Sequence, residues 1–309
     1  MDSVSREGQP RVSVVVPAYN PGPRLRAALA DVCAQSMPDW ECVVVDDGSR
    51  EDLSWVGDVD PRVSLHRQDN AGVSRARNAA VALARAPYIA FLDQDDRWHA
   101  DRLGCALDLI ADFPEAAMWT SQFRWEMPQR HQTSALPPQG SLRWFLAEGG
   151  ACQSAVTVRR SDYLQIGGQR SDLLMCQDFE MALRLMAYRQ APMAVHPREL
   201  VTYVVHGDNA SGNFWRTDQE FREVYGAQLQ TARTAGQTDL VDACRTGLRM
   251  RRRTHAYQAI DAARVAWSRH DGRGSVGALI RGLRCDPRVL AQESVAHARR
   301  RLTARLGRQ

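Results

Sequence analysis

Lysine is missing: all 40 basic residues of this 309-residue chain are arginine. That excludes a Walker-type phosphate lysine, a Schiff-base lysine and a kinase-type ATP lysine, and several large enzyme classes fall with them. The seven cysteines, at 33, 42, 105, 152, 176, 244 and 285, contain no CxxC pair and no metal-finger spacing. They read as reduced thiols, mostly small core residues. No apolar run approaches the roughly 18 residues that a membrane span requires. Met1 to Arg11 is polar and lacks the apolar core of a secretory signal. A cytoplasmic protein is expected, with the Asn209-Ala210-Ser211 sequon idle. The net charge of +4 is too small to argue for nucleic acid on its own. At 44% hydrophobic and 25% charged, the composition is that of an ordinary globular protein with ample core.

What is present is more specific. Tyr88-Ile89-Ala90-Phe91-Leu92 is a short buried-strand run that stops in Asp93-Gln94-Asp95-Asp96. Three carboxylates crowded at a strand end raise one another's pKa and weaken the fold. A hard divalent cation on carboxylate oxygens offsets that cost; an acidic loop capping the next helix is the plainer alternative.

Strand and helix signals alternate through the first hundred residues. Val12 to Val16 reads as a strand ending in Pro17-Ala18-Tyr19-Asn20-Pro21-Gly22, and Arg24 to Gln35 as a helix. Trp40 to Val45 is a strand ending in Asp46-Asp47-Gly48-Ser49, and Arg62 to His66 a short strand. Ala71 to Ala86 is an Ala- and Arg-rich helix before the acid-tipped strand. This order predicts an α/β fold with a mainly parallel sheet and helices on both faces. Ligands in such sheets sit beyond the carboxyl ends of the strands, where three of these strands end in polar turns. Beyond Trp98 the reading is a helix over Asp101 to Asp112, a strand over Ala117 to Trp125 and a polar loop over Met127 to Gly140. A strand over Ala155 to Val158, helices over Ser161 to Ile166 and Asp178 to Tyr188, and a strand over Leu200 to Val205 follow. From Phe214 the chain reads as helix only.

Five segments in order carry a resemblance. They are Val14-Val15-Val16-Pro17-Ala18-Tyr19-Asn20, Val43-Val44-Val45-Asp46-Asp47-Gly48-Ser49, Asn70-Ala71-Gly72-Val73-Ser74-Arg75-Ala76-Arg77-Asn78, Phe91-Leu92-Asp93-Gln94-Asp95-Asp96 and Gln177-Asp178-Phe179-Glu180-Met181-Ala182-Leu183-Arg184. Together they resemble the ordered signature of family 2 glycosyltransferases, which are inverting enzymes of the Rossmann-like GT-A fold. The resemblance covers residues 11 to 211. It implies a transferase domain over residues 11–213, with a nucleotide-binding half (11–100) and an acceptor half (101–213). Residues 214–309 form a helical C-terminal extension.

The resemblance also implies roles. Asp93 and Asp95 match the family's Asp-x-Asp motif, which holds Mg²⁺ or Mn²⁺ against the donor's diphosphate; Asp95 is the direct ligand, and Asp93 contacts ribose or a metal-bound water. Asp96 touches donor sugar or metal on the acceptor side. Asp178 matches the general base that a poorly nucleophilic sugar hydroxyl requires, although a first-turn or capping acid is the simpler reading of that position. Asp46 or Asp47 reads the base, and Pro17, Ala18, Tyr19 and Asn20 line the nucleobase pocket with Gln94 nearby. Of Arg75 and Arg77, Arg77 is favoured to reach base or diphosphate, while Asn78 pins its helix to a turn. His206 matches a late histidine near diphosphate and metal, though a lone histidine is more often structural. Trp98 either stacks on an acceptor sugar or packs in the core. Two positions depart from the pattern, Gln177 for the usual Glu and Gln169-Arg170 for the usual aromatic-acid pair. Both lie on the acceptor side.

The implied activity is metal-dependent, inverting transfer from a nucleotide-diphospho-sugar, with UDP favoured and GDP or dTDP as alternatives. The acceptor is a sugar or lipid-linked sugar, in cell-envelope polysaccharide assembly. A nucleotidyltransferase is the rival enzyme, but its Gly-rich turn with a pyrophosphate-binding lysine is absent; a non-catalytic scaffold is the rival without chemistry. Arg249-Met250-Arg251-Arg252-Arg253 and Arg299-Arg300-Arg301 are either solvated helix faces or a basic appendage that docks on anionic lipid at the membrane's inner face.

Overall fold

The computed structural model describes residues 9–127, 130–206, 214–268 and 270–289. They form two compact units: residues up to 209 without Leu146–Glu148, and those three residues with the chain from 210 onward.

The first unit is built on one mixed sheet of ten strands. Its N-terminal part is wholly parallel, with β1 (Val12–Ala18) between β2 (Trp40–Asp46) and β4 (Tyr88–Phe91), and β3 (Val63–Arg67) outside β2. Every residue of β1 and β2 is buried, because a strand covered on both faces has no polar side to show. Val12, Val14 and Val16 pack with Leu25, Leu29 and Val32 of α1 (Arg24–Cys33). The alternating residues Ser13 and Val15 face the other side, where α2 (Val73–Leu83) crosses β1 and β2. Helices therefore cover both faces, as the strand–helix alternation predicts.

The C-terminal part is joined through β9 (Thr157–Arg159), which runs antiparallel between β4 and β6 (Met118–Met127). Strand β10 (Met193–Val204) lies parallel to β6, and β5 (Arg97–Trp98) closes the edge antiparallel to β10. Helices α3 (Arg102–Asp112), α5 (Arg160–Gln165) and α6 (Gln177–Arg189) complete this half.

Three expectations need correction here. The loop expected over Met127 to Gly140 contains β7 (Arg130–Thr133), a hairpin partner of β6, and β8 (Gln139–Gly140), an added edge strand on β10. Its Pro residues and short polar runs hid two edge strands, which need few apolar residues. The strand expected from Leu200 begins seven residues earlier, at Met193, because Pro197 and a register shift between His196 and Glu199 interrupt its apolar pattern. Helix α4 (Leu142–Glu148), opened by Ser141 accepting from the Trp144 N–H at 3.2 Å, was not foreseen.

The second unit holds α7 (Phe214–Thr234), α8 (Thr238–Ser268) and α9 (Gly272–Cys285). Ala256 and Ile260 of α8 pack on Cys285. Buried Asp218 of α7 accepts from Arg222 at 2.6 Å and lies 3.2 Å from His255 of α8. Burial pushes the Asp218 carboxyl up, but these contacts outweigh it and hold it below the usual range.

Candidate active site

The loops that follow β1, β2 and β4 meet at the carboxyl edge of the sheet. The Tyr19 N–H donates to Gln94 Oε1 at 2.8 Å, and Gln94 Nε2 returns a bond to the Tyr19 carbonyl at 3.3 Å. Asn20 holds the β2 loop, its N–H donating to Ser49 Oγ and its Oδ1 accepting from the Arg50 N–H, each at 2.9 Å. The Tyr19 ring is 46% exposed and free to meet a planar ligand, whereas Pro17 and Ala18 are buried in β1 and offer that rim backbone only.

Asp46 and Asp47 are buried and already engaged. Asp46 accepts from the Ser49 N–H at 2.8 Å and from Arg67 at 2.5 Å. Asp47 accepts from Gln68 and from the N–H groups of Ala71 and Gly72, at 2.7 to 2.8 Å, and so fastens the chain that enters α2. Directly after them Gly48 has φ +80°, and a Cβ there would stand 2.9 Å from the Asn70 nitrogen, so glycine is required by both conformation and space.

The acid cluster at the end of β4 divides by environment. Asp96 is 1% exposed and structural in its contacts: Ser154 Oγ donates to it at 2.5 Å and the Val204 N–H at 3.1 Å. Burial first, and then Asp93 and Asp95, push its carboxyl well above the ordinary range. Asp96 is thus held by Ser154 and the Val204 N–H rather than turned to the surface. Asp95 is part-buried, and its Oδ2 lies 2.7 Å from His206 Nε2. Burial and then Asp93 raise its carboxyl, against the lowering contact with His206. Asp93, 26% exposed, is paired with the guanidinium of Arg77.

Arg77 is itself 3% exposed. One arm holds Asp93 and the other reaches Gln169 Oε1 at 3.2 Å. Burial opposes its charge, and Asp93 followed by the more distant Asp178 restores it, so the guanidinium stays firmly cationic. Arg75, two residues away, stands exposed on the outer side of α2.

Asp178 occupies the second position of α6 rather than the cap, which is Cys176. Its Oδ1 accepts from the Phe179 N–H at 2.7 Å, and as a first-turn acid it is favoured by the helix dipole. Its charge supports that of Arg77 less strongly than Asp93 does, and after burial it joins Asp96 and Asp93 in pushing up the thiol of Cys152. Gln177 is buried, and its Oε1 has no hydrogen-bond partner among the described residues.

Trp98 does not face this centre. Its ring is 5% exposed, joins the main core and donates from Nε1 to the Ser154 carbonyl at 2.8 Å. The stacking role is corrected in favour of packing: an indole on a two-residue edge strand turns inward when its N–H finds a buried acceptor.

Sequence reasoning passed over Ser154, and it noted Gln169 only as a departure from the family pattern. Ser154 Oγ accepts from the Asp93 N–H at 3.0 Å while donating to Asp96, so it fixes two of the three acids. Asn78 donates to the Gln169 carbonyl at 2.8 Å and accepts from its N–H at 2.9 Å, pinning α2 to that turn. Gly168, at φ +71°, has no room for a Cβ, which would meet Asn78 Oδ1 at 2.4 Å. A lone Ser in a short 3₁₀ turn carries no local signal; Gly167-Gly168 does. The residues after His206, including the sequon, lie outside the described residues up to 213.

A mixed α/β sheet with an acid-tipped central strand, a ring-bearing loop beside it and a further acid opening a downstream helix is the architecture of the GT-A class. Residues 13–166 match the family described as Glycosyl transferase family 2, and the chain belongs to that family. TuaG of Bacillus subtilis, named for teichuronic acid biosynthesis, is 36% identical over 109 residues, which are 34% of this chain and 43% of TuaG. The UDP-Glc:alpha-D-GlcNAc-diphosphoundecaprenol beta-1,3-glucosyltransferase WfgD of Escherichia coli is 33% identical over 102 residues, 32% of this chain and 40% of WfgD. The chain thus spans less than half the length of either relative. The mannosyltransferase PcManGT of Pyrobaculum calidifontis, solved with GDP-Man and Mn²⁺, shares the fold at a TM-score of 0.63 and 18% identity, over 89% of this chain and 86% of that one.

Proposed function

We propose that this chain is a metal-dependent, inverting glycosyltransferase that moves a sugar from a nucleotide-diphospho-sugar to an acceptor hydroxyl. The observation that carries the reading is the acid cluster at the end of β4, where Asp95 lies 2.7 Å from His206 and Asp93 is paired with buried Arg77, in a chain that matches Glycosyl transferase family 2.

The donor set fits a divalent cation whose shell is completed from outside the protein. Asp95 and His206 offer an oxygen and a nitrogen 2.7 Å apart. Among the described residues no group of three or more His, Cys, Asp or Glu is placed to hold a metal alone. Two donors are few for Mg²⁺ or Mn²⁺, and diphosphate oxygens are the hard ligands such ions add. When bound, the ion supplies charge neutralisation on the departing nucleoside diphosphate. PcManGT was solved with Mn²⁺, which supports the same class of cation here.

The protein's own steps follow. Tyr19 offers its exposed ring to the nucleobase beside the Asp46–Asp47 turn. Arg77 fixes Asp93 at the sugar–phosphate end. Asp178 takes the proton of the acceptor hydroxyl as that oxygen bonds the anomeric carbon and the carbon–phosphate oxygen bond breaks. A single base on the face opposite the leaving group gives inversion. The acceptor is a sugar or lipid-linked sugar in cell-envelope polysaccharide synthesis. TuaG is named for that kind of pathway and WfgD for a lipid-linked acceptor, which supports this setting, including work at a membrane surface.

The test is Asp178→Asn. Nucleoside diphosphate release from a panel of UDP-, GDP- and dTDP-sugars with Mn²⁺ should fall about 10²- to 10⁴-fold, the usual weight of a general base. Calorimetric binding of the nucleotide with Mn²⁺ should be unchanged. Turnover that survives the substitution removes Asp178 from the reaction.

A further inference from the structure

The Arg run at 249–253 is open only in part, with Arg249 and Arg253 exposed. Arg252 Nε donates to the Cys285 carbonyl at 2.7 Å, and the Arg251 guanidinium lies 4.7 Å from the Phe221 ring centre. Both are part-buried and committed to packing within the helical unit.

The unusual surface lies on α9. Val276, Ile280 and Leu283 are 56%, 48% and 49% exposed, while Ser275, Ala278, Gly282 and Cys285 are the residues it buries. At about 100° per residue the three large side chains fall within about 60° of one another, opposite the small ones. The helix is thus inverted relative to an ordinary surface helix, with its small residues inside and its large apolar residues outside. On the same helical wheel Arg273 and Arg284 border the apolar stripe, with Arg281 beyond them. Arg288 follows the helix, and Asp286 is the sole acid from Gly272 to Val289. On the last turn of α8, beside the turn into α9, Trp267 is 72% exposed. An apolar stripe, a basic flank and an exposed indole are the three parts of a helix that lies in a lipid interface.

We propose that the outer face of α9, with Trp267 at the hairpin tip, docks on an anionic lipid surface. Val276, Ile280 and Leu283 enter the boundary between headgroups and acyl chains, and exposed Arg273 and Arg288 pair with lipid phosphates, while the Arg284 guanidinium lies 5.9 Å from the Trp215 ring centre. The charge selects this occupant: a second copy would bring the same arginines against themselves, whereas anionic headgroups complement them. The proposal does not depend on the catalytic reading, since it concerns binding alone.

Vesicle co-sedimentation of the full chain tests it. Binding to vesicles of equimolar phosphatidylglycerol and phosphatidylcholine is expected, with little to phosphatidylcholine alone and progressive loss as salt is raised. The Ile280→Asp/Leu283→Asp double variant should bind at least about ten-fold more weakly. Both side chains are half exposed, so its circular dichroism and thermal midpoint should match the parent. Brominated lipid should quench parent fluorescence more than that of Trp267→Phe. No binding by the parent, or equal binding by the double variant, overturns the proposal. So does a parent dimer in solution that the double variant converts to monomer, because a second copy would then cover the face.

Discussion

His206 Nε2 and Asp95 Oδ2 stand 2.7 Å apart across 111 residues of chain. They bring the end of β10 onto the acid-tipped β4. Each side chain is of a kind that can coordinate a metal, and here the two are in contact with each other.

A cation that takes both groups must replace that mutual contact, so each should matter to cation affinity in the presence of nucleotide. His206→Ala is expected to weaken Mn²⁺ binding, measured with UDP present, by about ten-fold or more. Asp95→Asn should weaken it further, because it removes a formal charge as well as a donor. Mn²⁺ affinity that is unchanged in both variants would show that this pair is structural.

Arg77 has a different task. It is the buried cation that pairs with Asp93 beside Asp95 and Asp96. Arg77→Leu leaves Asp93 facing two other carboxylates and Gln169 without its donor, at a cost of about 3 kcal/mol in unfolding free energy. Arg77→Lys should recover only part, since one ammonium cannot reach both Asp93 and Gln169 in the forked geometry. Saturating UDP with Mn²⁺ should narrow the gap between Arg77→Leu and the parent in a thermal melt. A gap that does not narrow would separate this cluster from the ligand site.

Trp98 separates packing from recognition. Trp98→Phe loses the bond to the Ser154 carbonyl and some volume, for about 1 to 2 kcal/mol. Trp98→Ala should cost about 3 to 5 kcal/mol. Neither loss involves a sugar, so the KM for acceptor should not move with Trp98→Phe. A raised acceptor KM at unchanged stability would restore the stacking role.

These residues also show what the sequence made legible. Strands β1, β2 and β4 are short apolar runs with abrupt polar ends, and burial on both faces leaves that pattern no ambiguity. The three loops could be placed on one rim because parallel connectivity puts strand ends of one kind on one edge. What a carboxylate does once there was not readable. Asp93, Asp95 and Asp96 are near-neighbours in sequence, yet one is paired with Arg77, one with His206 and one with Ser154. Those partners come from 16, 111 and 58 residues away, and no local pattern carries such distances. The inverted face of α9 was hidden for a similar reason. Its residues alternate small and large at helical spacing, and only the packing on α8 decides which set is turned out.

Glu41 gives the pH prediction. Buried on β2, it accepts from Ser13 Oγ and from the Arg85 N–H at 2.6 Å each, and from Arg85 Nε at 2.7 Å. It thereby ties β1, β2 and the chain entering β4. Burial alone would raise its carboxyl, but the bonds from Ser13 and Arg85 outweigh it and hold it below its ordinary 4.5. The folded-state value lies under the unfolded one, so the stabilisation is present at neutral pH and is lost as pH falls through the folded value. Because the Arg85 side chain is 74% exposed, its ion pair adds little, and the Ser13 hydroxyl and backbone N–H carry most of the effect. Glu41→Gln should cost about 1 kcal/mol at pH 7. The difference should shrink as pH drops, and denaturant midpoints of parent and variant should converge well below pH 4.5. A difference that stays constant from neutral to acid pH would mean that shape, not charge, is what Glu41 contributes.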